Sequence, residues 1–118
     1  MHEMTAAFGL LKILEDKARE HGIARISRVR LKIGRLRGLE ARQLAAAFES
    51  LAEGSLAEGA SLDIDETAAQ ARCRGCGTTW TVAGYWFECP TCGAADAEIL
   101  DGRELFIESF DGERNLSG

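Results

Sequence analysis

No apolar run in this chain approaches the ~20 residues a membrane-spanning helix needs, so no membrane association is expected. No signal peptide is recognisable either, which points to the cytoplasm. Histidine is scarce, with two among 118 residues. No nucleophile lies beside a recognisable base, so the chain is read as non-enzymatic. Positive charge is in deficit as well: the formal net charge is −5. Non-specific nucleic-acid binders usually show a basic stripe, so no nucleic-acid partner is expected.

The four cysteines form two Cys-X-X-Cys pairs, Cys73–Cys76 and Cys89–Cys92, with twelve residues between the inner two. Each pair can make a tight knuckle that points two thiolates at one centre. Gly77 and Gly93 follow the second cysteines, where a positive φ is often needed. Four thiolates on two knuckles give the closed tetrahedral set of a structural Zn(II) site. Disulfides are disfavoured in a chain that reads as cytosolic. A redox Cys-X-X-Cys pair wants a βαβ context that is missing here. Iron in a four-thiolate site uses similar knuckles and stays open as an alternative. A closed site of this kind has no position for a substrate, so it holds structure and performs no chemistry.

Periodicity gives the rest of the fold. Residues 4–21 read as an amphipathic helix with Met4, Ala7, Phe8, Leu11, Leu14 and Ala18 on its buried face and Gly22 at its stop. His21 fits the end of that helix better than a ligand role. Residues 26–33 alternate as a strand, with Val29, Leu31 and Ile33 inward and Arg28, Arg30 and Lys32 outward. A second helix spans about 40–53, burying Leu44, Ala47, Phe48 and Leu51. Residues 60–66 form another strand, whose Asp63 and Asp65 can face the basic stripe of the first. A hairpin of 79–82 and 85–87 turning at Gly84 is expected inside the metal module, and a third strand runs over 104–110. Residues 111–118 are expected to fray. The fold class is α+β: two helices packed on a three-stranded sheet, with an inserted zinc-ribbon module. The domains are 1–68 together with 99–118, and the ribbon at 69–98.

The chain opens Met1-His2-Glu3. Bulky His2 disfavours removal of Met1, so the α-amine of Met1, the backbone amide of His2 and its imidazole can close adjoining chelate rings. Such nitrogen-rich sets suit Ni(II) or Cu(II) better than zinc. Glu3 can add a carboxylate, and Glu40 is a further candidate if its helix starts nearby. Glu3 is equally explained as an acid in a helix's first turn.

Together, the Met1-His2-Glu3 start and the late Cys73/Cys76/Cys89/Cys92 ribbon resemble the HypA family of nickel metallochaperones over nearly the whole chain. The resemblance implies nickel on His2 and Glu3 with the Met1 amine, structural zinc on the four cysteines, and delivery of nickel during [NiFe]-hydrogenase maturation. It also implies two partners, the GTPase HypB and the precursor of the hydrogenase large subunit, and allows a weak homodimer. Some relatives carry a histidine beside the ribbon; this chain has none there. A rival reading is a zinc-ribbon adaptor acting on nucleic acid or a transcription complex. Against it, Gly77–Glu88 holds Trp80, Tyr85, Trp86 and Phe87 but no lysine or arginine, so stacking is available without phosphate neutralisation.

Overall fold

The computed structural model describes residues 2–114, with side chains from Glu3 onward. Helix α1 (His2–Glu20) carries Glu3 in its first turn and Lys17 and Arg19 in its last, charges that suit the two ends of the helix dipole. Its buried stripe is Ala7, Leu10, Leu11, Leu14 and Ala18, spaced at three and four residues as one helical face requires. Met4 and Phe8, expected on that face, are 48% and 55% exposed. Leu10 takes the inward place, and the Lys12 ammonium sits 5.4 Å from the centre of the Phe8 ring. Gly22 ends the helix at φ 67°, a left-handed conformation that glycine adopts without strain.

Strand β1 (Ile23–Gly34) lies between β2 (Ser61–Thr67) and β6 (Leu105–Arg114) in a three-stranded sheet. The chain thus leaves the sheet after β2 and returns through β6, as the late third strand required. Val29, Leu31 and Ile33 are buried as the alternation demands. Across the outer face, Arg28 Nε reaches Asp63 Oδ2 at 2.7 Å, while Arg30 turns the other way to Asp111 (3.3 Å) and the Ser109 hydroxyl. These pairs are half exposed and contribute about 0–1 kcal/mol each; they tune register more than stability. Residues 111–114, expected to fray, belong to β6, and 115–118 lie outside the described residues.

A 3-10 turn, Arg35–Arg37, leads to helix α2 (Ala41–Ala52). Glu40 caps it, its carboxylate accepting from the Gln43 N–H at 2.8 Å, which satisfies one of the orphan donors of the first turn. Leu44, Ala47, Phe48 and Ala52 are buried on the inner face, and α2 packs against α1. Leu51, expected inside, is half-buried, and Ala52 takes the inward position.

The chain divides into two compact units. One comprises Met1–Leu31, Leu39–Asp65 and Phe106–Gly118; the other comprises Lys32–Gly38 and Glu66–Leu105. Phe48, Leu14, Ile26, Leu31, Leu44 and Val29 are the largest fully buried side chains of the first. The second has its own antiparallel sheet, β3 (Gln70–Cys73) flanked by β4 (Thr79–Thr81) and β5 (Ala97–Asp101). Its core is small: Ala69, Ala71 and Val82, with Leu36, Trp80, Phe87 and Ala97 packed around them. The expected hairpin is half right. β4 forms but pairs with β3, Ala71 opposite Trp80. Gly84 does turn the chain, at φ 58°, yet residues 85–87 are not a strand. Tyr85 and Trp86 are each 67% exposed.

Two glycines let the backbone cross itself within this second unit. The Gly34 N–H donates to Glu104 O (2.7 Å) and the Leu36 N–H to Gly102 O (2.8 Å). A Cβ on Gly34 would lie 2.1 Å from the Gly102 carbonyl, well inside any tolerated contact.

Candidate metal centre

Each cysteine knuckle is built by backbone hydrogen bonds. The Cys73 N–H donates to Thr78 O (2.8 Å), and the Gly77 N–H to Cys73 O (2.9 Å). The second knuckle repeats the pattern: the Cys89 N–H donates to Ala94 O and the Gly93 N–H to Cys89 O, both at 2.9 Å. Gly77 and Gly93 have φ of 81° and 76°, the backbone that the glycines were expected to supply. The Arg74 guanidinium holds the start of β5 against the first knuckle, reaching Asp96 Oδ1 at 2.8 Å and Ala97 O at 3.2 Å. Neither β3 nor β5 was foreseen from the sequence, yet they carry Cys73 and this clamp.

The structure brings all four predicted cysteines together, with their sulfurs mutually within 4.8 Å. Cys73 Sγ lies 3.5 Å from Cys92 Sγ, and Cys76 Sγ 3.6 Å from Cys89 Sγ. Tetrahedral Zn–S bonds of ~2.3 Å give a sulfur–sulfur edge of about 2.3 × 1.63 ≈ 3.8 Å, so the set fits such an ion with little adjustment. Cys73 and Cys89 are buried, while Cys76 and Cys92 face outward.

Acid–base chemistry sets Cys76, Cys89 and Cys92 apart. The Thr78 hydroxyl, 3.2 Å from Cys76 Sγ, and then the Thr78 backbone lower Cys76 from 9.0 to about 6. The N–H groups of Cys92 and Thr91 point at Cys89 Sγ (3.5 and 3.4 Å) and lower its pKa as well. Cys92 goes the other way: the Ala94 backbone favours its thiolate, but the neighbouring thiols of Cys73 and Cys76 outweigh it and raise Cys92 to about 12. Like charges this close resist ionising together, and a divalent cation at their centre removes the conflict. All four positions being sulfur, the site can hold an ion but offers no open ligand position.

At the other predicted site, Met1 and the His2 side chain lie outside the described residues; the His2 backbone opens α1. Glu3 is buried at 9% exposure. Its Oε2 accepts from the Glu40 N–H at 3.0 Å, so the first turns of α1 and α2 meet at this carboxylate. That bond, followed by one from its own backbone, lowers the Glu3 pKa from 4.5 to about 2. Glu3 is therefore an anion at any physiological pH. An open cleft of about 340 Å3 adjoins it, lined by Glu3, Met4, Gln43, Ala46, Ala47 and Ser50. The Glu3–Glu40 proximity was legible only as a condition on where α2 begins. His21 sits at the far end of α1, about 18 × 1.5 = 27 Å from Glu3 along the axis, and takes no part.

Residues 1–112 match the family model described as hydrogenase/urease nickel incorporation, metallochaperone, HypA. A hydrogenase maturation factor HypA of Chlorobaculum tepidum is 41% identical over 110 residues, 93% of this chain and 97% of that protein. The one from Moorella thermoacetica is 39% identical over 113 residues, 96% of this chain and all of that protein. Among solved structures, the nickel metallochaperone HypA of Helicobacter pylori superposes with a TM-score of 0.69 at 23% identity, covering 96% of this chain and 98% of its own; it bears on the fold alone.

Proposed function

This chain belongs to the HypA family of nickel-incorporation metallochaperones, and on that premise we propose that it binds Ni(II) at its N-terminus and delivers it during maturation of [NiFe]-hydrogenase. The ligands are the backbone amide and imidazole of His2, the Glu3 carboxylate and the Met1 amine. The observation that carries the assignment is the buried Glu3 carboxylate, held between the first turns of α1 and α2. It is ionised and its position is set by two helices, which a cargo site needs if capture is to be selective.

Nickel is cargo here, so the site must release what it binds. Amine, amide and imidazole nitrogens all bind deprotonated, and acidification therefore loosens the site. Intrinsic affinity would favour copper, so geometry and partner contact must supply the preference for nickel. We assign Zn(II) to Cys73, Cys76, Cys89 and Cys92 as a resident structural ion that ties the two knuckles together. The protein then acts as a carrier and not as a catalyst. Its partners are HypB and the precursor of the hydrogenase large subunit, any homodimer is weak, and the cytoplasm, where thiols stay reduced, is its compartment.

Replacing His2 removes the imidazole from the proposed chelate. His2→Ala should abolish specific nickel binding in calorimetry while zinc content and helical circular dichroism stay at the native level. Native nickel affinity in that variant would sink the assignment.

A further inference from the structure

The ribbon carries a second surface beside its four-sulfur site. Trp86 lines two shallow clefts. One, of about 250 Å3, is lined by Trp80, Thr81, Ala83, Trp86, Glu88, Cys89 and Pro90. The other, of about 340 Å3, is lined by Tyr85, Trp86, Phe87, Glu88, Gly93 and Ala95. Both volumes suit one side chain each and fall at or below the lower end of small-ligand pockets. Trp86 and Glu88 belong to both.

Two large aromatics at 67% exposure on one turn are unusual unless a partner covers them. Charge says which partner. From Gly75 to Gly102 the chain has no lysine or arginine, against Glu88, Asp96, Glu98 and Asp101. Asp96 and Glu98 are already met by Arg74 and Arg72. Among the described residues no ion pair reaches Glu88. An indole face beside an unmatched carboxylate is the arrangement that selects a planar cation: stacking on the ring and hydrogen bonding to the carboxylate reinforce each other. Nucleic acid fits poorly, because stacking is offered without phosphate neutralisation.

We propose that this face docks an arginine-bearing segment of a partner protein, the guanidinium stacked on Trp86 and bonded to Glu88, with a neighbouring apolar side chain in the cleft beside Tyr85 and Phe87. The stacked arginine supplies the energetic centre and the acidic surroundings steer it in. The contact is independent of the nickel assignment, since it does not use the N-terminus.

The test is a titration of zinc-loaded full-length protein, followed by NMR at the two indole N–H resonances, of Trp80 and Trp86. The probe is a capped Leu-Arg-Leu peptide, compared with the same peptide carrying citrulline, which keeps the shape and loses the charge, and with an oligothymidine. The arginine peptide should shift the Trp86 signal saturably, with affinity at least ~10-fold above the citrulline peptide. Trp86→Ala should lose that binding, Trp86→Phe should retain it within a few-fold, and Glu88→Gln should weaken it about fivefold. Zinc stoichiometry establishes that each variant is folded. No binding of the arginine peptide, equal binding of the citrulline peptide, full affinity in Trp86→Ala, or tighter binding of oligothymidine would each overturn the proposal.

Discussion

Cys76 and Cys92 belong to the same four-sulfur cluster, yet their thiols stand at about 6 and about 12. Thr78 accounts for the first and the crowding of neighbouring thiols for the second. The thiolate is the nucleophile, so in the first moments after chelation at pH 7, before the metal-free knuckles loosen, iodoacetamide should alkylate Cys76 at least ~10-fold faster than Cys92. Mass spectrometry of the partially alkylated chain reads this directly, and a bound ion should slow both. The direction follows from ionisation: pH 7 lies above the Cys76 value and far below that of Cys92. All four cysteines could be picked from spacing alone, because a metal site constrains both residue type and interval. Thr78 could not, since a threonine two residues after a cysteine carries no distinguishing signal. Glu3 lies between these cases. Its position beside a helix start was legible, but its bond to the Glu40 N–H depends on where a second helix begins, which no local pattern encodes.

At the scale of elements, the strongly periodic segments were legible and the short ones were not. The periodicity places α2 within a residue at each end, because the Glu40 cap and Gly54, at φ 77° just past its end, punctuate it. β3 and β5 carry no local signal: Gln70–Cys73 and Ala97–Asp101 are short, contain alanines, and are strands because they pair with each other. Tyr85–Phe87 shows the opposite error, since aromatic content suggested a strand where the chain instead presents rings to solvent. Spacing alone puts Met4 and Phe8 inward, and a shift of the stripe towards Leu10 leaves them outside. Glycines at two positions make this scale testable. Gly9 lies within α1 with nothing within 4 Å of an added Cβ, so Gly9→Ala should stabilise by about 0.5–1 kcal/mol through helix propensity. Gly34→Ala drives a methyl into the Gly102 backbone and should destabilise by about 2 kcal/mol or more, since backbone and not a flexible side chain must move. Urea unfolding of the two variants beside the parent measures both signs.

The whole molecule has two units with very different means of support. The first buries Phe48, Leu14, Ile26, Leu31, Leu44 and Val29, each contributing about 1.5–3 kcal/mol. The second has three buried apolar residues at its centre, two of them alanines, and too little burial to hold alone; its four-sulfur site makes up the difference. Both helices fall in the first unit, and both tryptophans, Trp80 and Trp86, in the second. Stripping the metal with a strong chelator should therefore red-shift and broaden the tryptophan emission while helical circular dichroism falls little. A concerted loss of both signals would mean that the first unit depends on the metal as well.

The most direct test of the nickel assignment lies at the N-terminus. Zinc-loaded protein with its native start should be titrated with Ni(II) by calorimetry beside the same chain extended by a few residues before Met1. A tight site in the native form, much weakened by the extension, is the predicted result, because the extension turns the Met1 amine into an amide. Equal nickel affinity in the two forms would contradict the amine's part in the chelate, and absence of binding in both would contradict an N-terminal cargo site altogether.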